Sequence, residues 1–184
     1  WHFRFGYLVL ALTVFRILWG LVGGRWSRFS SFIYAPGTLQ RYLRGEAAPA
    51  EQLEVGHSPT GALSVFALLA LVVLQLGTGL VADDEISNVG PLNRFVSDDT
   101  AQSATSWHHG WGQWLILSMV ALHVAAIAFH QFRKRVDLVR PMLDGDKALP
   151  ANTPASADGL PQRAFAVVLF AVCAALALWV SRLG

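Results

Sequence analysis

Residues 107–130 read WHHGWGQWLILSMVALHVAAIAFH and hold four of the chain's six histidines. The stretch is mostly apolar, starts among tryptophans and is followed by the basic run Arg133-Lys134-Arg135. A segment of about 20 apolar residues is long enough to cross a bilayer as a helix. Ionisable side chains inside such a segment are uncommon and mark function. His109 and His123 are fourteen residues apart. On an unbroken helix that spacing is about 40° of rotation and about 21 Å of rise, so the two imidazoles are expected to share one face at two depths.

Three more apolar segments flank this one. The expected fold is an all-α integral membrane bundle with spanning helices at about 3–23, 60–82, 107–132 and 164–181. Ser58-Pro59 is a good start for the second, a capping hydroxyl followed by proline at the first helical position. Nothing alternates with period two over long stretches, which argues against a membrane barrel. The composition agrees. The chain is 54% apolar and 14% charged with a mean hydropathy of +0.44, against about 45–50% and 25% for a soluble domain. A disordered chain is excluded on the same ground. A net charge of +2 without any basic block excludes nucleic acid as a partner. The single cysteine, Cys173, cannot form an internal disulfide and reads as a buried structural thiol.

Loop charge sets the expected orientation. Loop 24–57 carries Arg25, Arg28, Arg41 and Arg44, and loop 133–163 carries Arg133, Lys134, Arg135, Arg140, Lys147 and Arg163. Loop 83–106 has only Arg94 against Asp83, Asp84, Glu85, Asp98 and Asp99. The positive-inside rule then puts 24–57 and 133–163 in the cytoplasm and 83–106 on the periplasmic side of a bacterial inner membrane. Residues 35–45 are expected to form a short surface helix, and 144–162 a linker rich in Pro, Ala and Asp.

The first helix matches the third in depth. His2 stands at its outer end, level with His109, and two neutral imidazoles on facing helices suit the two axial positions of a haem iron. Gly6 and Gly112 would let a flat macrocycle approach the backbone. Arg16, fourteen residues after His2, lies level with His123. An arginine at that depth takes a negative partner, for which a haem propionate, a quinone or a lipid head group are the candidates, or else snorkels to the interface. His108 is turned about 100° from His109 and reads as a neighbour of the ligand. His130 reads as a surface residue, and His57 as a helix-start residue with a weaker quinone-site alternative.

With these motifs in view the chain resembles the bacterial cytochrome b561 family, which includes the b-type cytochrome subunits of nickel-iron hydrogenases. The stretch 107–130 is similar to the family's fourth helix, WHFRFGYLVLALTVFRILWGLVG (1–23) to its second, GHSPTGALSVFALLALVVLQLGTGLVADD (56–84) to its third, and FRKRVDLVRPML (132–143) to the segment after the fourth. The resemblance implies a haem-binding membrane domain over 1–143, a cytoplasmic linker over 144–162, and an additional C-terminal helix over 163–184. It implies haem b, two in the intact protein, with at least one between His2 and His109 and an inner one on His123. It also implies exchange of electrons between a periplasmic carrier, such as a c-type cytochrome or a hydrogenase-like subunit, and a quinone, ubiquinone or menaquinone.

The family's partner for His123 comes from a helix that would precede Trp1. One more outward-running helix with a histidine in its inner half is therefore expected in the natural protein. Three functions stay in competition: an electron-transfer subunit in the lipid bilayer, a superoxide:ubiquinone oxidoreductase, and a non-redox membrane anchor. The acidic outer loop ranks the second lower, because an anionic substrate favours positive guidance. Absence of haem would establish the third.

Overall fold

The computed structural model describes residues 1–48, 51, 53, 55–145, 149 and 151–184. Among these it holds seven α-helices and no strand. They are α1 (His2–Val22), α2 (Pro36–Leu43), α3 (Pro59–Val81), α4 (Asp98–His109), α5 (Trp111–Ala128), α6 (Arg140–Asp144) and α7 (Leu160–Val180). Four helical stretches are long and apolar enough to cross a membrane: α1, α3, the α4–α5 unit through Arg133, and α7. Lys147, counted above among the charges of the third loop, lies outside the described residues.

The packing is that of a protein solvated by lipid. Among the described residues the buried apolar side chains are almost all small: Ala11, Ala62, Ala101, Ala104, Cys173 and Ala177, with Phe32 the large exception. Leucines, valines and tryptophans such as Leu12, Leu63, Trp111, Leu122 and Val167 face outward. Small residues let helices approach where no hydrophobic force drives them together, and large apolar ones meet acyl chains.

α3 starts as its sequence indicates. Ser58 Oγ accepts from the Gly61 amide at 3.2 Å and Pro59 opens the helix. It runs back between α1 on one side and the α4–α5 unit on the other. α7 runs antiparallel to α1. Phe15 meets Phe170 edge-on at 5.7 Å between ring centres, and Trp19 lies 6.3 Å from Phe165. The loops after α1 and before α7 share one end of the bundle, where the Arg25 amide donates to Ser156 O at 2.8 Å and Trp26 Nε1 to Pro154 O at 3.1 Å. Gly184 meets Pro91 at the opposite end.

Two expectations about the third span are corrected. Its helix begins at Asp98 rather than near Trp107. Hydropathy does not register the polar turn 98–106. The start is set by a cap, Ser97 Oγ accepting from the Thr100 amide, with Asp98 and Asp99 complementing the helix dipole. The span is also not one unbroken helix. Gly110, at φ −95° and ψ −112°, ends α4 one residue before α5 begins. A Cβ at Gly110 would stand 2.5 Å from the Ser106 carbonyl oxygen, so only glycine fits this turn. The count of 100° per residue therefore does not run from His109 to His123. The last span starts at Leu160, ahead of the expected 164, because Pro161 is accommodated in the first turn.

Candidate functional site

Histidines gather at two levels. At the end of the bundle that carries loop 83–97, His2 from the first turn of α1 and His108 and His109 from the last turn of α4 line one cavity with Phe3, Gly79, Asp84 and Thr105. The His2 and His108 rings are 5.8 Å apart between centres and nearly perpendicular, at 88°. His108 is half-buried and locked to α3. Its Nδ1 donates to Gln75 O at 2.9 Å while the Gln75 side-chain Nε2 donates back to His108 O at 2.8 Å. A carbonyl only accepts, so the proton sits on Nδ1 and the lone pair on Nε2. A Cβ on Gly79 would lie 2.6 Å from His108 Cε1, so the missing side chain is what admits the ring. His109 is exposed, lies tilted against His108 with 5.7 Å between ring centres, and makes no hydrogen bond among the described residues.

The two glycines expected to flank a macrocycle differ. Gly6 has open space in front of it. Gly112 does not: a Cβ there would collide with Gln75 Oε1 and come within 2.7 Å of Trp107 Nε1, so its space belongs to Gln75.

Deeper in the bundle, His123 is half-buried, with its Nδ1 3.2 Å from Ser64 Oγ of α3. Arg16 lies on α1. Its Nη1 donates to Ser27 O at 3.4 Å and its guanidinium carbon sits 4.8 Å over the Phe29 ring. It makes no ion pair among the described residues. The Phe32 ring lies tilted against His57 with 4.4 Å between centres, and Phe29, Phe32 and Phe66 form one aromatic cluster. Tyr34 Oη donates to His57 O at 2.7 Å, while His57 Nδ1 is buried without a partner. Burial first, and then the Arg16 charge, push the His57 imidazole below its ordinary range. His130 donates back into its own helix, to Ala126 O at 2.9 Å.

In loop 83–97 Asp84 accepts from the Asn88 side chain and from the backbone amides of Asn88, Ser87 and Ile86. These bonds hold its carboxyl far below the usual carboxylate range. This end of the bundle therefore keeps a fixed negative charge.

Among the described residues no three His, Cys, Asp or Glu side chains gather to hold a bare metal ion. A haem asks for less, since the macrocycle supplies four ligands and the protein two. The residues fit that demand. His108 keeps a lone pair on Nε2, Gly79 leaves room for its ring, and the His2 ring stands 5.8 Å away between centres.

Sequence reasoning did not single out Gln75, Ser64 or the Phe29–Phe32–Phe66 cluster. A usable signal existed for the first two, polar side chains inside an otherwise apolar spanning segment.

A family model described as prokaryotic cytochrome b561 matches residues 1–145. Neither a curated protein nor a solved structure matches the chain. The helical membrane architecture, the grouped histidines and the extent of that match lead to one conclusion: the chain belongs to the prokaryotic cytochrome b561 family, membrane b-type cytochromes of electron transfer.

Proposed function

We propose that this protein carries electrons between a periplasmic carrier and the quinone pool through haems b at two depths in a bacterial inner membrane. The observation that carries the reading is the meeting of His2 with the His108–His109 pair on adjacent helices, with His123 deeper on the same span. When bound, haem b would supply a one-electron couple, and histidines are the residues that would hold it. In this reading His2 and a histidine of the 108–109 pair (His109 on the sequence expectation) hold the outer haem. His123 would help to hold the inner one. Arg16 lies beside the inner cofactor and offers its charge to a propionate or to a bound ubiquinone or menaquinone. The small residues between helices keep water out of the interior.

The acidic loop 83–99, with its persistent Asp84 charge, faces the periplasm and attracts a basic partner, for which a c-type cytochrome or a hydrogenase-like subunit is the candidate class. The basic loops 24–57 and 133–163 then lie in the cytoplasm. The same acidity disfavours superoxide as a substrate, so the superoxide:ubiquinone oxidoreductase reading ranks second.

The test is a reduced-minus-oxidised spectrum with a haem count on the protein purified from native membranes. Low-spin b-type bands with two haems per chain are expected. A haem-free protein overturns the reading in favour of a membrane anchor. Quinone-independent superoxide oxidation at the outer site would overturn the proposed donor.

A further inference from the structure

The third span does not run straight out into water. After α5 the chain makes one wide turn, Phe129–Arg133, and then bends back on it. Arg135 takes φ +54°, the left-handed conformation that glycine usually supplies just past a helix end. The Val136 amide donates to His130 O at 3.0 Å, and the Leu138 amide to Gln131 Oε1 at 3.3 Å. Asp137 Oδ1 accepts from the Val139 and Arg140 amides, both at 3.1 Å, and α6 follows. The chain past Arg133 is thus tied to the last turn of the span.

The side chains here are of two kinds. Phe129, Phe132, Val136, Val139, Met142 and Leu143 are all exposed, Phe132 at 82% and Leu143 at 83%. Among them stand Arg133, Lys134, Arg135 and Arg140 against one acid, Asp137. The run 133–135 is exposed and makes no ion pair among the described residues. Large apolar side chains interleaved with cations are unfavourable in water. They are favourable at the boundary between acyl chains and headgroups, where the stems lie in lipid and the charges reach out. Phe129 and Phe132 say which boundary this is. They belong to the third spanning stretch, which runs through Arg133, so acyl chains meet them. Val136, Val139, Met142 and Leu143 continue the exposed apolar series just past the end of that stretch, at the level of the lipid phosphates.

We infer that residues 129–143 are a lipid-binding site. The apolar side chains enter the acyl boundary, and Arg133, Lys134, Arg135 and Arg140 hold anionic phospholipid headgroups. Four cations against one acid favour an anionic surface, since a zwitterionic one carries no net charge to attract them. A water-soluble partner would have to share this segment with the bilayer that already covers Phe129 and Phe132. The site depends on the membrane spans and not on haem.

The experiment uses the full chain in vesicles of phosphatidylcholine, with and without an equal share of phosphatidylglycerol. A spin label is placed at Met142→Cys, with Cys173→Ala removing the chain's own thiol. Its collisions with oxygen, which concentrates in lipid, and with a water-soluble nickel chelate report immersion. In the phosphatidylglycerol vesicles the label should meet oxygen, and in pure phosphatidylcholine it should meet the chelate more. Arg133→Gln/Lys134→Gln/Arg135→Gln should reduce the ratio of immersed to exposed label about fivefold per charge removed. Arg25→Gln/Arg28→Gln, at the same end of the bundle, should leave that ratio unchanged. Should the triple variant not fold, the lipid comparison on the chain with its native charges decides. A label equally exposed in both vesicles overturns the inference. So does one equally immersed in both, because charge then selects nothing. Loss of the preference in the Arg25/Arg28 variant removes the site from this segment. A label shielded from both probes and broadened by a second label puts another copy of the chain there instead. A haem-free protein that still shows the lipid preference overturns the proposed function and leaves this inference standing.

Discussion

The Arg16 guanidinium sits 4.8 Å over the face of Phe29, and Phe29 in turn fills the space above Gly20. Three residues from α1 and the loop after it thus form a stack in which the smallest member supports the charged one. A Cβ on Gly20 would collide with the Phe29 ring. Gly20→Val should therefore lower stability by about 1–3 kcal/mol, the usual cost of overpacking. It should also disturb the inner redox midpoint. Gly6→Ala, at a glycine facing open space, is the control and should do neither in a thermal-shift and redox titration pair.

In the proposed function Arg16 acts through its charge. A positive group beside the inner cofactor favours the reduced form, so Arg16→Leu should lower the inner midpoint by on the order of 1 kcal/mol in electron affinity. Arg16→Lys should recover most of it. Redox titration of the two variants checks this. An inner midpoint and a quinone-reduction rate both unchanged in Arg16→Leu would remove Arg16 from the cofactor's surroundings.

His57 makes stability depend on pH. Burial and the Arg16 charge hold its folded-state pKa below the ordinary 6.5. The folded protein then binds fewer protons than the unfolded one. The resulting contribution is complete above pH 6.5 and is lost as pH falls through the depressed folded value. The charged and titratable neighbours are Arg16 and Tyr34, and neither changes charge in that window. Thermal midpoints from pH 7.5 to 5 should fall, and His57→Asn should flatten that fall. An equal slope in the variant would place the dependence elsewhere.

α7 contributes packing and no ligand. Phe165 and Phe170 meet Trp19 and Phe15 of α1. Replacing both phenylalanines by alanine should cost about 1 kcal/mol per aromatic pair and leave haem content and spectrum unchanged. Loss of haem in this variant would show that α7 shapes the site through α1.

Much of the fold is legible in the residues themselves. Four apolar runs announce four spans, and Ser58-Pro59 marks the first residues of α3 correctly. The failures share a cause, since hydropathy sees lipid contact and not hydrogen bonds. It is blind to Ser97 and the acidic turn that start α4, and it passes over Gly110 because glycine neither adds nor removes apolar character. The site was legible in part. His2, His109, His123 and Arg16 stand out as ionisable groups in apolar runs. Which of two adjacent histidines meets His2 depends on where the chain turns at Gly110 and on what α3 offers opposite. Neither can be read from spacing. Likewise Gly112 looks like room for a ring in the sequence and proves to be room for an amide.

The turn at Gly110 also has a mechanical meaning. The His108–His109 pair and His123 are mounted on two helices joined by a single glycine. Of these, α4 is continuous with the acidic loop, tied to it where the Asp83 amide donates to Thr105 Oγ1 at 2.9 Å and that hydroxyl donates back to Asp83 O at 3.0 Å. A tilt of α4 about this joint would carry His108 and His109 with it and leave His123 where it is.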